Sequence, residues 1–359
     1  MKEIENMRIL AINPGATSTK VAVFDDEKPL FTETIRHDAD EIKKFEHTYD
    51  QYDFRANTIR DALKKHDMDI ASLDAVVGRG GTFKPLKSGT YEVNEAIKDD
   101  VIHERVQSDH ISLIGCLLAD DIAKPLGIKA YIVDPVSVDE FDDICHISGL
   151  DEVPRLALAH ALNVKMIAKR FAREQKKKYS DLRLIVVHLG GGITVSAHRD
   201  GRMFDASNAN DDGPFSPQRT GSLPLTGLIK LCYSGKYTKN ELLKKVLKQG
   251  GMINLLGTDD LQQICEKAKT DEKFDMVLRA FAYQISKEIG AYSTTLKGKV
   301  DAILLTGGVA FNDDLMDQIK EYIDWIAPVN VYPGEDEMEA LVKGVLRVTR
   351  GEEEVVVYK

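Results

Sequence analysis

The sequence predicts an α/β protein with a duplicated, two-domain architecture. In the first half, residues 8–24 read as two strand-forming runs around a turn at 14–19. In the second half, residues 183–197 repeat this pattern around three consecutive glycines at 190–192. Two β-rich runs that flank a turn too crowded for large side chains predict a β-hairpin. A similar hairpin in each half therefore predicts a duplicated fold.

Length and composition agree with two domains. The chain has 359 residues, 43% of them hydrophobic, so it can bury a large core and exceeds the usual length of one domain. We expect a first domain over residues 1–153, with a C-terminal helix at about 338–359 packing back on it, and a second domain over residues 154–337.

Charge and apolar patterning exclude several function classes. A net charge of −10 is opposite to the basic surface that nucleic-acid binding needs. No apolar run approaches the roughly 18 residues that cross a bilayer, and residues 1–6 lack the apolar core of a signal peptide. The four cysteines form no CxxC pair, so neither a zinc site nor a disulfide framework is expected. The sequence thus predicts a cytoplasmic protein that binds neither nucleic acid nor membranes.

The first half continues with alternating strands and helices. The predicted elements after the hairpin are an edge strand at 30–35, helix 53–65, strand 73–77, helices 95–106 and 111–124, and strand 130–135. The helices carry apolar residues every three or four positions, and the strands are short apolar runs. The helix at 111–124 meets Pro125 and Gly127, which typically follow helix ends. Asp134 lies at the carboxyl end of the last strand, where open α/β sheets bind ligands.

The second half has the same alternation. Its predicted elements besides the hairpin are helix 154–174, strand 203–206, helices 226–232, 238–248, 258–268 and 275–296, strand 300–306, helix 313–325 and helix 338–350. A polar loop at 207–221, rich in glycine and proline, interrupts this order and carries Arg219. A loop of this length is either functional or disordered, and we favour a functional loop.

Three glycine-rich turns are candidates for binding a nucleotide. Both hairpin turns are rich in N–H and hydroxyl donors that could bind phosphate, although each alone could be an ordinary hairpin. Gly307 and Gly308 separate a strand from a helix, which suits a phosphate, an adenosine or simply a close crossing. The chain contains no P-loop, GxGxxG, GxSxG or HExxH motif. The paired hairpins therefore point to ATP in a cleft between two domains.

A series of motifs, in order along nearly the whole chain, resembles the family of acetate and butyrate kinases, within the superfamily of actin, Hsp70 and sugar kinases. The motifs are LAINPGATSTK at 10–20, GRGG at 78–81, SDH at 108–110, VDP at 133–135, HLGGG at 188–192, SPQRTG at 216–221, LTGGV at 305–309 and PGEDEM at 333–338. The resemblance implies a duplicated actin-like ATPase (ribonuclease H-like) fold with two domains around a nucleotide cleft. It also implies reversible phosphoryl transfer from ATP to a short-chain carboxylate, giving an acyl phosphate and ADP, with Mg²⁺ as cofactor.

Departures from the acetate kinase pattern favour the butyrate kinase branch. Ala16 and Gly191 stand where acetate kinases usually carry a serine and an asparagine, and Arg79 directly precedes two glycines. Residues 158–163 replace a histidine-rich segment, so the alignment at Arg79 and His160 stays open. A branched-chain fatty-acid kinase, an acetate kinase and an actin- or Hsp70-like ATP-dependent switch are the alternatives.

The resemblance implies roles for individual residues. The implied catalytic residues are Arg79, Asp134, His160, His188 and Arg219. The planar fork of arginine suits oxyanions, so Arg79 would orient the carboxylate and Arg219 would contact the transferring phosphoryl group. The two histidines would donate hydrogen bonds to phosphate oxygens. The candidate substrate-binding residues are Arg79, His110, Leu158 and Pro217.

Nucleotide and metal contacts are implied in the same way. The candidate ATP- and phosphate-binding residues are Asn13, Thr17, Ser18, Lys20, Gly190, Gly191, Gly192, Asp259, Gly307, Gly308 and Val309. Asp259 could accept from ribose hydroxyls or cap the following helix. The candidates for Mg²⁺, acting through water, are Asp134, Asp336 and Glu337, and the choice between the adjacent Asp336 and Glu337 stays open. The implied partners are ATP or ADP, a short-chain carboxylate or acyl phosphate, and further copies of the chain in a homodimer or higher homo-oligomer.

Overall fold

The computed structural model describes residues 6–359. The chain divides into two compact units, Met1–Asp139 with Asp336–Lys359, and Glu140–Glu335. The sequence places its domain boundaries at 153/154 and 337/338 instead, and those boundaries remain a prediction. Within residues 6–359, no helix is both long and apolar enough to span a bilayer.

The strands and helices are numbered in chain order. The strands are β1 (Arg8–Pro14), β2 (Ser18–Asp25), β3 (Lys28–Arg36), β4 (Ala75–Arg79), β5 (Thr90–Glu92), β6 (Lys129–Val133), β7 (Leu184–Leu189), β8 (Ile193–Arg199), β9 (Arg202–Ala206), β10 (Ala302–Gly307) and β11 (Val329–Pro333). The helices are α1 (Ala39–Ile42), α2 (Tyr52–Lys65), α3 (Glu95–Ile102), α4 (Gly115–Leu126), α5 (Ala161–Glu174), α6 (Leu225–Cys232), α7 (Lys239–Leu247), α8 (Gly251–Leu256), α9 (Leu261–Ala268), α10 (Glu272–Thr295), α11 (Asp313–Ile323) and α12 (Glu337–Thr349).

The first unit contains a six-stranded sheet in the order β3-β2-β1-β4-β6-β5. Strands β1, β4 and β6 are parallel and almost fully buried, as their continuous apolar runs predict. Helices α2 and α4 pack on this sheet through a core that includes Leu10, Ile59 and Leu118. Helix α12 packs over the same three strands. The sheet therefore brings the carboxyl ends of β1, β4 and β6 side by side.

The second unit repeats this arrangement. Its five-stranded sheet has the order β11-β10-β7-β8-β9, with β7, β10 and β11 parallel and the β7–β8 and β8–β9 pairs antiparallel. The order β9-β8-β7-β10-β11 matches β3-β2-β1-β4-β6 strand for strand, with the same directions. The duplication predicted from the paired hairpins is thus confirmed.

The segment after α12 returns to the core of the first unit. Tyr358 is only 1% exposed and packs with Phe83 in an apolar cluster. Its backbone oxygen accepts a hydrogen bond from Asn94 at 2.9 Å, and its hydroxyl donates to Asp100 at 2.9 Å. The segment after α12 therefore contributes to the interior of this unit.

Asp100 is a buried carboxylate that accepts from three donors. Lys84 and Arg105 donate to it at 2.7 and 2.8 Å, and the Tyr358 hydroxyl is the third donor. Burial raises the pKa of Asp100, but these hydrogen bonds outweigh burial and hold its pKa at about 2.

The predicted helix over 154–174 is wrong in its first turns, because α5 begins only at Ala161. Arg155 holds the residues that precede Ala161 in a non-helical conformation. Its guanidinium donates to the backbone oxygens of Cys145 and Ala206 at 2.7 and 2.9 Å, and to Asp205 at 3.0 Å. These partners lie outside the segment, so helical periodicity does not reveal them.

Other predicted boundaries are also corrected. The helix over 95–106 ends at Ile102, before Glu104 adopts a positive φ of 54°. The helix over 111–124 begins as a 3₁₀ turn, Ile111–Ile114, and continues as α4. The helix over 258–268 begins at Leu261, because the Asp260 side chain accepts from the Gln263 N–H and caps it. Four short elements, α1, β5, α8 and β11, are not predicted from the sequence.

Candidate functional site

In the first unit, three candidate residues lie at the carboxyl ends of neighbouring parallel strands. Asn13 lies near the end of β1, Arg79 ends β4, and Asp134 directly follows β6. The register pairs Ile12 with Gly78 and Arg79 with Val133, which sets the three ends level. This edge is where parallel sheets position ligand-binding groups.

Glu337 connects Asn13 and Arg79. The Asn13 amide donates to Glu337 Oε2 at 2.5 Å, and Arg79 forms an ion pair with Glu337 Oε1. The Arg79 and Glu337 side chains are 19% and 12% exposed, so the pair is largely shielded from water. Asp336 is exposed and makes no side-chain cap to α12. Of the two adjacent acids, Glu337 is therefore the one in contact with the other candidates.

Asp134 is fixed by neighbouring donors. Its Oδ1 atom accepts from the Ser88 hydroxyl at 2.6 Å and from the Gly89 N–H at 2.8 Å. Its backbone has a positive φ of 38°, which is uncommon for a residue other than glycine and is often found at functional sites. The side chain is thus oriented through one oxygen, and a carboxylate has a second oxygen with which to accept from a ligand.

The first hairpin turn lies beside Asn13. Gly15 N–H donates to the Ser18 backbone oxygen at 2.8 Å and closes the turn, while Thr17 is exposed. Lys20 is directly opposite Asn13 in the β1–β2 register, so the two side chains are on the same face of the sheet. His110 has a structural contact as well: its Nδ1 atom accepts from the Ser112 N–H at 3.2 Å and caps a 3₁₀ turn.

In the second unit, the loop predicted to be functional lies against the triple-glycine turn. Ser216 donates to the Gly191 backbone oxygen at 2.6 Å and accepts from the Arg219 N–H at 2.9 Å. The Arg219 guanidinium lies over Gly192, where a Cβ atom would be 2.7 Å from NH1. Gln218 lies over Gly191 in the same way, with its amide 3.2 Å from such a Cβ. Glycine is thus required in this turn for close approach of side chains.

His188 is the penultimate residue of the buried strand β7, which leads into this turn. Its Nδ1 atom is 2.9 Å from Asn163 Oδ1, and an amide oxygen only accepts, so Nδ1 carries the proton. Its Nε2 atom is 3.3 Å from Glu335 Oε1. Nε2 donates only when the ring is doubly protonated. A Cβ atom on Gly190 would contact both Glu335 and His188, so this glycine also allows a close approach.

His160 stacks on His188. The ring centroids are 4.0 Å apart and the planes are inclined by 17°. His160 Nδ1 lies 2.9 Å from the Thr194 hydroxyl of β8, so the ring is held by the second hairpin. The sequence placed His160 inside a helix, whereas it directly precedes α5. The structure brings both candidate histidines of this unit together.

The Gly307–Gly308 turn borders a cavity of about 610 Å³. Gly307 has a φ of 101°, and a Cβ atom there would overlap the backbone of Leu189. Gly308 lines the cavity, whereas the Val309 side chain packs in the apolar core. The sequence did not identify the other lining residues, among them Leu261, Gln262, Cys265, Lys269, Phe311 and Asn312.

Asp259 lies beside the loop that carries Arg219. Its Oδ2 atom accepts from the Gln218 amide at 2.9 Å. The alternative that Asp259 caps α9 is wrong, because Asp260 is the cap. Leu158 and Pro217 are buried in the same unit.

Arg155 is a residue near the site that the sequence did not reveal. Its Nε atom lies 3.6 Å from Asp212, whose carboxylate accepts from the Asn208 N–H at 2.5 Å. The next residue, Ala209, accepts at its backbone oxygen from Arg219 NH1 at 2.9 Å. Burial raises the pKa of Asp212 to about 6, even with Arg155 nearby. Arg155 thus holds the loop segment that orients the Arg219 guanidinium.

Comparison with known proteins identifies the family. The sequence pattern of the Acetokinase family matches residues 155–324. Butyrate kinase 1 from Clostridium acetobutylicum is 49% identical over 354 residues, which cover 98% of this chain and 99% of that protein. The chain belongs to the acetokinase family. A probable butyrate kinase from Clostridium botulinum is 47% identical over 353 residues, 98% of this chain and 99% of its own length.

Solved structures of acetokinases agree in fold. The crystal structure of Porphyromonas gingivalis acetate kinase has a TM-score of 0.76 at 17% identity and covers 95% of this chain and 99% of its own. A propionate kinase from Francisella tularensis has a TM-score of 0.74 at 16% identity and covers 94% and 98%. The predicted duplicated actin-like fold is confirmed. The chain is a carboxylate phosphotransferase, and acetokinases use ATP.

Proposed function

We propose that this acetokinase transfers a phosphoryl group reversibly between ATP and butyrate, giving butyryl phosphate and ADP. The observation that carries the proposal is the position of the Arg219 fork over Gly192, in a turn that follows the strand carrying His188, on which His160 stacks. An arginine fork next to an imidazole and a glycine turn is an arrangement of donors that suits a phosphoryl group. Butyrate as the acid is supported by the names of the two clostridial relatives.

The reaction needs positive charge more than it needs a base. A carboxylic acid with a pKa of about 4–5 is ionised at neutral pH, so one of its oxygens attacks directly. The bond from that oxygen to the γ-phosphorus forms while the bond to the β–γ bridging oxygen breaks, and its electron pair leaves with ADP. Arg219 and His160 would stabilise the negative charge on the transferring group, and His188 would do so through Nε2 when its ring carries both protons.

Arg79 would orient the substrate carboxylate. The ion pair with Glu337 engages NH1, and a guanidinium fork has two further nitrogens that can bind a carboxylate. Leu158 and Pro217 would contact the acyl chain. The Leu158 backbone oxygen accepts from the Ala209 N–H at 3.3 Å, and Ala209 in turn binds Arg219, so this part of the acyl site adjoins the arginine.

Each unit by itself offers donors to a nucleotide. From the first turn, Asn13, Thr17, Ser18 and Lys20 would donate to phosphate or its hydration shell. From the second unit, Gly190, Gly191 and Gly192 would contact phosphate. Gly307, Gly308 and the backbone of Val309 would hold the adenosine, for which the neighbouring cavity of about 610 Å³ is large enough. Asp259 would accept from the ribose.

Asp134 and Glu337 fit the metal of MgATP. Mg²⁺ usually keeps several waters and takes one or two carboxylates together with phosphate oxygens. Within residues 6–359 no group of three or more acidic, histidine or cysteine side chains is placed to hold a metal ion. Asp134 would hold its hydration shell, with Glu337 rather than Asp336 as the second acid. When bound, the metal neutralises charge on the phosphates.

A hydroxamate assay tests this function. Hydroxylamine traps any acyl phosphate formed from MgATP and acetate, propionate, butyrate, isobutyrate, valerate or isovalerate. We expect kcat/KM to peak at butyrate, with neighbours within about 10- to 200-fold because one methylene contributes only about 1–3 kcal/mol. A peak at isobutyrate or at acetate would assign the branched-chain or acetate alternative. No hydroxamate from any acid would refute the proposal.

Two matched arginine variants extend the test. Arg219→Ala should lower kcat about 100-fold or more and raise the KM for ATP much less, because the lost contact belongs to the transition state. Arg279→Ala, which removes an exposed arginine of α10, is the control and should leave kcat unchanged. The cytoplasmic location and the homodimer or higher oligomer implied by the resemblance remain predictions, and light scattering of the purified protein tests the second.

A further inference from the structure

Arg55 of α2 is a charged side chain with 0% exposure. Its NH1 atom donates to the Ser18 backbone oxygen at 2.6 Å and to the Thr19 hydroxyl at 2.9 Å. Its NH2 atom donates to the Ala16 backbone oxygen at 3.4 Å and to Gln51 Oε1 at 2.9 Å, and Nε also donates to Gln51. NH1 and NH2 therefore hold the first hairpin turn, while Nε and NH2 bind Gln51.

The groups around Arg55 are neutral. Among residues 6–359, no carboxylate forms an ion pair with it, and its side-chain partners are an amide and a hydroxyl. His37 lies 2.8 Å from the same Thr19 hydroxyl, and burial together with the charge of Arg55 lowers the pKa of His37 to about 4. Burial also lowers the pKa of Arg55 to about 10, which leaves it charged at neutral pH. A buried charge without an acidic partner is costly, and such groups are rare without a function.

The turn is oriented by these bonds. In a trans peptide the C=O of one residue and the N–H of the next point in opposite directions, and no described peptide bond is cis. Because the Ala16 oxygen faces Arg55, the Thr17 N–H points away from it. The positive ends of the turn and the charge of Arg55 thus act in the same direction, toward the exposed side of the turn.

We propose that Arg55 is a positioning residue that supplies the counter-charge for the phosphates of ATP at the first hairpin turn, from behind the turn and without touching the nucleotide. The inference rests on the proposed function, because it assumes that this turn binds phosphate. An interior of low dielectric screens such a charge less than water does, so it acts over several ångströms. The anionic ligand would in turn compensate the buried charge.

Gln51→Glu tests the charge without removing a contact. Glutamate is isosteric with Gln51 and accepts the same two hydrogen bonds from Arg55, but it neutralises the guanidinium. We expect the Kd for ATP to rise about tenfold or more, the Kd for adenosine to stay within about twofold, and the melting temperature not to fall. Asn57→Asp is the control, because it adds the same charge on the exposed side of α2 and should leave both constants unchanged.

Arg55→Lys and Arg55→Met give a second comparison, should Gln51→Glu not fold. Lysine keeps the positive charge and methionine does not. The affinity for ATP divided by the affinity for adenosine should therefore be about fivefold or more higher in Arg55→Lys than in Arg55→Met. A Gln51→Glu protein that is folded and binds ATP as tightly as the native chain would overturn the inference, as would equal ratios for the two Arg55 variants. Both readouts are binding constants, so they are independent of the hydroxamate assay. Failure of that assay alone would refute the proposed reaction and leave the Arg55 result standing.

Discussion

Gly192→Ala should impair catalysis while leaving the fold intact. The added Cβ would lie 2.7 Å from Arg219 NH1 and 2.9 Å from its Cζ. Favourable contacts between non-bonded heavy atoms begin at about 3.5 Å, so the guanidinium must move by roughly 0.6 to 0.8 Å. A misplacement of about 1 Å can cost about 100-fold in rate, so we expect kcat to fall about 10- to 100-fold, or about 1.4–2.7 kcal/mol.

The stability of the Gly192→Ala variant should change little. The group that must move is the end of a flexible side chain, and Gly192 is not among the glycines with positive φ. The free energy of unfolding should therefore stay within about 0.5–1 kcal/mol of the native value. The assay is hydroxamate formation at saturating MgATP and butyrate, with thermal unfolding measured on the same preparation.

Gly191→Ala is the matched control. Its Cβ would meet the Gln218 amide at 3.2 Å, which requires a shift of only about 0.3 Å. We expect its kcat to stay within about threefold of the native value. A folded Gly192→Ala protein with native kcat would refute the reasoning, and equal losses in the two variants would show that the turn itself, rather than Arg219, is affected.

Three further variants probe other features. Gly307→Ala should lower the free energy of unfolding by about 3 kcal/mol or more in urea denaturation, because φ is 101° and the Cβ would overlap Leu189; an unchanged midpoint would contradict this. Asp100→Asn should reduce the loss of stability between about pH 5 and pH 3. The folded pKa of Asp100, about 2, lies below its unfolded value of 3.8. The carboxylate therefore stabilises the fold above about pH 4, and this contribution is lost as the pH falls toward 2. If the variant lost as much stability in acid as the native chain does, this role of Asp100 would be excluded. Glu337→Gln should lower kcat/KM for MgATP at least about tenfold, with Asp336→Asn near native; the reverse result in steady-state kinetics would exchange the two acids.

The sequence predicts much of this fold because the informative signals are local. The hairpins at residues 8–24 and 183–197 are predicted by their β-rich runs and glycine turns. Because the two hairpins are similar, they also predict the duplicated fold. Strand β9 (Arg202–Ala206) begins within one residue of its predicted range, 203–206, because the turn at Asp200 and Gly201 marks its start. Motif order was sufficient to indicate the family.

Errors arise where distant contacts decide the local conformation. The first turns of the helix predicted over 154–174 are absent because Arg155 binds groups far along the chain. Asp259 and Asp260 are equally good caps by residue type, and only the structure distinguishes them.

In the candidate site, too, the sequence indicates individual residues but not the contacts between distant segments. Motifs indicate Arg219 and Gly192 separately, but their contact joins a turn to a long loop and has no local signal. Arg55 reads as one more polar residue of a helix, since its burial depends on the hairpin packed against α2. Its full set of partners becomes visible only in three dimensions.

The return of Tyr358 to the first unit has a consequence for biosynthesis. The second unit is one uninterrupted stretch, Glu140–Glu335, so all of its strands and helices are synthesised consecutively. The first unit is discontinuous: its sheet is synthesised before the second unit, yet it lacks α12 and the Tyr358 side chain of its interior until the residues after Glu335 have been made. The half that is made first is therefore completed last, and its apolar sheet is the nascent surface that chaperones would have to protect.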